Sequence, residues 1–400
     1  MAEGFINSSD NRHWHENNMS FNKLENLRTL IIKGSVSSSA MDHLFGATEK
    51  YHKLRVLDLS WTCKILPKSI GDLKHLRYLD LYWTEVAELP VALGKLYHLQ
   101  VLMTPRSRAR IPRSLRNLIS LRHYEGDDKA LTTIPDIGRR LTSLQTFPEF
   151  HIKKEKGYDI GQLRNLNGLR GTLSIWNLEN IEGKDKAVEA NLKNKEYLES
   201  LVLKWGCRDE REFRRDLDRE VLEGLQPHPN LTELTIHGYK SPEFASWLPL
   251  QNLRSLKFEI CTGLEDFPPM IDLFPHCQSL KIWSLPNLSR FPLLPLSLKE
   301  LEISYCGSLM FVSKEEVEER VEEDILGGKK KIELIVPSSL QSLMIKDCDI
   351  TEGALSQSLG RLTSLKSLVL YGINTITTLP SEEILHHLTS PDITNSSKNV

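Results

Sequence analysis

Three near-copies of one phrase, between Leu54 and Leu102, restrict what this chain can fold into more than any other feature. Leu54-x-x-Leu57-x-Leu59 returns as Leu76-x-x-Leu79-x-Leu81 and again as Leu99-x-x-Leu102, at periods of 22 and 23 residues. Side chains that alternate along a strand point to opposite faces, so the paired leucines share one face and the residues between them share the other. Leu66-Pro67 and Leu89-Pro90 follow at matching offsets. Proline cannot donate a ladder hydrogen bond, so each pair marks where the chain has left the strand and is turning back. One such unit cannot bury its own apolar face, but a stack of them can.

The period falls within the roughly 20–29 residues of leucine-rich repeats. The expected fold is therefore an α/β solenoid. It would be a curved leucine-rich-repeat horseshoe with a parallel β-sheet on the concave face and irregular loops and short helices on the convex face. Weaker copies begin at Leu27, Leu121 and Leu144, and Ile111-Pro112 and Ile134-Pro135 keep the register. Further copies lie near Leu173, Leu198, Leu231, Leu253, Cys277, Leu298, Leu340 and Leu365, about 14 units across residues 24–389. Residues 1–23 read as a polar amino-terminal remnant and 390–400 as a disordered tail. Three connections are long. Residues 176–197 suit a short helix through Ala187, Ala190 and Leu192, and 206–226 carry Phe213, Leu217, Val221, Leu222 and Leu225 at helical spacing. Residues 313–331 run from acidic to basic, which reads as a solvated helix or loop.

A formal charge of -2 over 400 residues gives no reason to expect nucleic acid or an anionic membrane as partner. No apolar run approaches the roughly 18–20 residues of a membrane span. The opening MAEGFINSSD lacks the basic and hydrophobic regions of a secretory signal, so a cytoplasmic location is expected, with the nucleus as the second choice, and not secretion. Cys261, Cys306 and Cys348 each follow the middle leucine of a repeat by five residues, the place for a small buried side chain after the strand. Cys63, Cys207 and Cys277 are scattered, with no CxxC, so free structural thiols are expected.

No catalytic or cofactor motif is complete in the sequence. Gly327-Gly328-Lys329-Lys330 lacks the first glycine and the hydroxyl that a phosphate loop needs. No G-x-S-x-G elbow occurs. Asp58 and Asp80 recur one repeat apart and could be drawn as an acid/base pair, but equivalent positions in neighbouring strands read as solvated surface acids. The expectation is no enzyme, no cofactor and no metal.

Several stretches carry a more specific likeness. LPKSIGDLKHLRYLDL at 66–81, LRGTLSIWNLENIEGKDKAVEANLKNKEYLESLVLKW at 169–205 and VLEGLQPHPNLTELTIHGY at 221–239 resemble the leucine-rich-repeat region of plant nucleotide-binding, leucine-rich-repeat disease-resistance proteins of the coiled-coil class, resistance-gene-analogue branch. MAEGFI looks like the end of the winged-helix part of that family's nucleotide-binding module. The phosphate loop and the Met-His-Asp motif that holds the nucleotide are missing. The resemblance implies a protein-recognition module in plant innate immunity, the effector-sensing and autoinhibitory half of an intracellular receptor. Its implied partners are a pathogen effector or guarded host protein, and a nucleotide-binding module in cis or trans. The alternative is a general intracellular adaptor or scaffold unrelated to defence.

If each strand turns its leucines inward, the residues between them form the concave recognition surface. From the amino terminus these are Asp58, Ser60, Tyr78, Asp80, Tyr82, His123, Glu125, Asp127 and Phe150. They continue with Trp176, Lys204, His237, Lys257, Glu259, Lys281, Trp283, Glu300, Glu302 and Tyr371. Outward positions have no packing reason to be Trp or Tyr, and large aromatics are enriched at protein interfaces. Two contact regions are expected, one around Tyr78 and Tyr82 and one around Lys281 and Trp283. By the resemblance, the first would face the nucleotide-binding module and the second a pathogen-derived or guarded protein.

Overall fold

The leucine spacing acts as the sequence implies. In a computed structural model, Leu57, Leu79 and Leu102 sit at the centres of three successive strands and are wholly buried. The structure describes residues 3–7, 26–34, 41, 45–46, 51–105, 109–126, 131–147, 149–206, 215–265, 267–268, 270–288, 291, 293–306, 309–312, 330–333, 335–373 and 390–394. Phe213, Cys207 and residues 313–329 of the charged insert lie outside the described residues, as does Asp127. The chain divides into two compact units, residues 1–173 and 174–400.

In the first unit, strands β1 (Glu3–Asn7), β2 (Thr29–Lys33), β3 (Val56–Asp58), β4 (Tyr78–Asp80), β5 (Val101–Met103) and β6 (His123–Glu125) run in sequence order through one parallel sheet. Parallel neighbours need a crossover, and here it is short. Pro67, Pro90 and Pro112 sit in extended conformation immediately before 3-10 turns at Lys68–Asp72, Val91–Lys95 and Arg113–Asn117. Those turns bury Ile70, Leu93 and Leu115 against the back of the leucine layer. A fully buried leucine contributes roughly 1.5–3 kcal/mol, so each repeat is held mainly by its leucine column. Gly71 matters for a steric reason, since a Cβ there would fall on the Ala92 carbonyl of the next turn. A seventh strand, β7 (Glu149–His151), follows.

The second unit repeats the scheme with longer strands. These are β8 (Gly171–Trp176), in which the division falls, β9 (Leu198–Lys204), β10 (Glu233–His237), β11 (Ser255–Glu259), β12 (Ser279–Trp283) and β13 (Glu300–Ser304). β14 (Leu309–Val312), β15 (Lys330–Glu333) and β17 (Asp349–Ile350) form a small separate sheet, while β16 (Ser342–Lys346) pairs with β13 in the main one. β18 (Ser367–Tyr371) and β19 (Ser390–Thr394) end the main sheet. In the two connections at helical spacing, Lys184–Val188 is helical and buries Ala187, with Ala190 and Leu192 beyond its end, and Arg215–Gly224 is helical and buries Val221 and Leu222. Thr351 caps Glu352–Arg361 by accepting from the Ala354 N–H at 3.1 Å.

Strands β1 and β19 lie in stretches read from sequence as a polar remnant and a disordered tail. β1 pairs in register with β2, Glu3 opposite Thr29, and β19 with β18, Ser390 opposite Ser367. An open sheet edge presents unpaired N–H and C=O groups, and backbone pairing of this kind needs no leucine pattern. Cys63, Cys261, Cys277, Cys306 and Cys348 are buried free thiols, and Cys261 Sγ lies 3.4 Å from the Ile236 carbonyl of the preceding repeat.

Candidate functional site

Register puts the outward residues into rows. In the first unit Val56, Tyr78, Val101 and His123 form one row, and Ile31, Asp58, Asp80, Met103 and Glu125 the next. Lys33 Nζ donates to Asp58 Oδ2 at 2.7 Å and to Ser60 Oγ at 2.9 Å. Burial alone would raise the Asp58 pKa, but Lys33 and Ser60 hold it below the ordinary carboxylate value. Asp80 is shifted the other way. Burial raises its pKa and the neighbouring Asp58 charge adds to this, against a 2.7 Å hydrogen bond from the Tyr82 N–H. The Tyr78 hydroxyl lies 3.3 Å from Asp80 Oδ2, and burial with the Asp80 charge pushes the phenol up to about 12. The two acids lie side by side as the sequence implies, but each is half-buried and hydrogen-bonded to its own set of partners rather than fully solvated.

Two candidate residues do not reach the surface. Ser60 is 6 % exposed, because its hydroxyl and N–H fold back onto Asp58 Oδ1 at 2.6 and 2.9 Å. Phe150 is 1 % exposed and packs edge-on against Phe147 at 5.8 Å. The Leu144 phrase places Phe150 outward, but the strand forms at Glu149–His151, so Phe150 is its inward residue. A shift in strand phase exchanges the faces, and Glu149 and His151 point out instead, 3.0 Å apart. His123 and Glu125 are exposed as expected.

In the second unit the last outward row reads Lys204, His237, Glu259, Trp283, Ser304, Lys346 and Tyr371. The row beside it reads Val202, Thr235, Lys257, Lys281, Glu302, Met344 and Val369. Glu300 is exposed at the start of β13. Charges in these rows pair with one another: Lys257 with Glu259 at 2.5 Å, and Lys281 with Glu302 at 3.4 Å. Lys204 sets its ammonium 3.9 Å from the Trp176 ring centroid, a cation–π contact. Trp283 and Tyr371 remain 39 % and 43 % exposed.

A second group of surface residues escaped the sequence reading. Seven residues after the first leucine of a repeat, just beyond the strand, the backbone is left-handed: Gly34, Trp61, Trp83, Gly238, Ile260, Ser284, Tyr305, Asp347 and Gly372. Glycine occupies three of these places because it alone adopts that conformation without steric cost. Trp61 and Trp83 occupy two others and stack on each other, centroids 5.0 Å apart at 19°. Tyr305 stands edge-on to Trp283 at 6.3 Å. The detectable signal was a tryptophan aligned with glycines of other repeats.

No described helix is long and apolar enough to cross a membrane. The family described as leucine-rich repeat region matches residues 26–210, and that described as R13L1/DRL21 LRRs matches residues 160–306. The putative disease resistance protein RGA1 of Solanum bulbocastanum is 33 % identical over 354 residues, 84 % of this chain and 35 % of that protein. Disease resistance protein RGA2 of the same species is 33 % identical over 247 residues, 56 % of this chain and 23 % of its own length. The chain thus spans about a third or less of the curated relatives it matches. A solved leucine-rich-repeat protein of Leptospira interrogans aligns with a TM-score of 0.46 at 19 % identity, over 94 % of this chain and 87 % of that one. From its repeat spacing and the two family matches and relatives above, the chain belongs to the leucine-rich-repeat family, of the type carried by plant disease-resistance proteins.

Proposed function

We propose that the chain acts by binding other proteins, as the recognition region of a plant defence protein, without catalysis of its own. The observation that carries this reading is the use of the outward strand positions. Inward positions are leucine and isoleucine almost throughout, while the outward rows interleave half-exposed Tyr, Trp, Lys and Glu with Val, Thr and Met. Such rows offer rigid aromatic area bordered by charge, the composition of protein interfaces. In this reading Tyr78 and Tyr82 face a nucleotide-binding module, in the same polypeptide or another. Lys281 and Trp283 face a pathogen-derived or guarded host protein. The setting is the cytoplasm or nucleus.

The test uses Tyr82→Ala and Trp283→Ala, each first shown to melt like the parent. Proteins that co-purify with the chain from infected plant tissue are produced pure and titrated calorimetrically against all three. The expected result is at least tenfold weaker binding of one partner by one variant. Full affinity of both variants for every partner would remove the strand faces from recognition.

A further inference from the structure

Charge is spread unevenly along the chain. Residues 51–126 hold 13 Lys and Arg against 6 Asp and Glu, although the whole chain carries a formal charge of -2. Part of this excess stands in one row. The residue after the first leucine of each early repeat is Arg28, Arg55, Arg77, Gln100 and then Arg122. Parallel pairing runs through all five. The Arg55 N–H donates to the Arg28 carbonyl, that of Arg77 to Arg55, that of Gln100 to Arg77 and that of Arg122 to Gln100, each at 2.8 Å. The four arginines therefore line up at the end of the sheet where its strands begin, and all four are exposed.

Neither packing nor pairing explains this row. None of the four guanidinium groups has a carboxylate partner among the described residues. The nearby Lys53 and Lys74 donate to Asn26 Oδ1 and to the Gly71 carbonyl, so neither brings an acid. Like charges on neighbouring strands repel, so the fold gains nothing from the row by itself. Adjacent strands lie about 4.8 Å apart, which spreads Arg28 to Arg122 over about 19 Å. Acids at every third or fourth place of an α-helix rise about 4.5–6 Å from one to the next and keep step with the row. Alternate residues of an extended chain advance about 6.6 Å and fall out of phase. The strip is also narrow. Asp80 and Glu125 stand three residues further along the chain than Arg77 and Arg122, about 10 Å away. A helix about 10–12 Å across fits along the row. A nucleic-acid duplex or an anionic membrane would overhang those carboxylates and meet them with like charge.

We propose that Arg28, Arg55, Arg77 and Arg122 dock the acidic face of a helix in a partner protein, each guanidinium taking a carboxylate through parallel N–H groups. This rests on the protein-recognition reading above and names the charge and form of the partner segment. The probe is a fluorescein-labelled, alanine-based helical peptide with glutamate at every third or fourth place on one face. It is titrated with the full chain at physiological salt, and anisotropy is followed. The expected result is saturable binding, lost with the glutamine counterpart and at least tenfold weaker for the Arg55→Gln/Arg77→Gln double variant, which should melt like the parent. Lys95→Gln/Arg113→Gln, on the neighbouring turns, should bind within twofold of the parent. Failure of the parent to bind, equal binding of the glutamine peptide, or unchanged binding by the Arg55→Gln/Arg77→Gln variant would each overturn it. So would an equal loss in Lys95→Gln/Arg113→Gln, which would make the attraction diffuse. Equal binding of an acidic peptide broken by proline would remove the helix, and tighter binding of duplex DNA or phosphatidylserine vesicles would replace the protein partner. Because the probe is a defined peptide, these results are independent of whether Tyr82 or Trp283 contacts a partner.

Discussion

At the scale of single residues, Asp58 and Asp80 show how equivalent positions in consecutive repeats acquire opposite properties. Asp80's pKa is raised, so the fold favours its protonated form. Its contribution to stability therefore falls as pH rises from the unfolded value near 3.8 through the folded one. Asp80→Asn keeps an oxygen for the Tyr82 N–H and removes the charge. It should stabilise the fold slightly at pH 7, by less than about 1 kcal/mol given solvent screening, and have no effect below the unfolded value. Asp58 is lowered, so its contribution is present above the unfolded value and lost as pH falls through the folded one. Asp58→Asn should destabilise at pH 7, because Lys33 loses its carboxylate. Melting curves of both variants at pH 7 and pH 3 check the opposite signs. The sequence marks these acids as outward, since alternation alone assigns faces. It does not mark Ser60 as buried, because that follows from two hydrogen bonds to a neighbour's carboxylate.

At the scale of the element, the repeat is a strand, a turn and a close approach to the next turn. Gly71→Ala tests the last part. Its Cβ would meet the Ala92 carbonyl oxygen and lie 2.9 Å from Ala92 Cβ, and backbone cannot move aside cheaply. A loss of about 1–3 kcal/mol is expected, read from the denaturant midpoint. Gly360→Ala, in Glu352–Arg361 with nothing within 4 Å of the new Cβ, should be neutral or stabilising by up to about 1 kcal/mol. Strand positions were legible wherever two leucines bracket one residue, as at Leu57–Leu59 and Leu79–Leu81. They were not legible at β7, where Phe147 and Phe150 are three apart and fit two phases of a strand equally. Nor were β1 and β19, which rest on backbone pairing with a neighbouring strand. The Trp61–Trp83 stack was hidden because leucine spacing carries no mark of backbone handedness, which shows only when both tryptophans are aligned with the glycines of other repeats.

At the scale of the whole molecule, every repeat divides in two: inward residues hold the stack together, and outward ones form the face proposed to meet partners. In a stack whose repeats touch only their neighbours, a buried charge should melt adjacent repeats together. Leu79 and Tyr82 belong to the same repeat, one fully buried and the other partly exposed. The most direct measurement is the thermal unfolding of Leu79→Asp beside Tyr82→Ala, each against the parent. Leu79→Asp leaves an unpaired carboxylate among leucines, a cost of several kcal/mol, and should lose cooperative folding of the first unit. Tyr82→Ala should melt within a few degrees of the parent. Equal melting of Leu79→Asp and the parent, or equal collapse of both variants, would contradict the division between a core face and a recognition face.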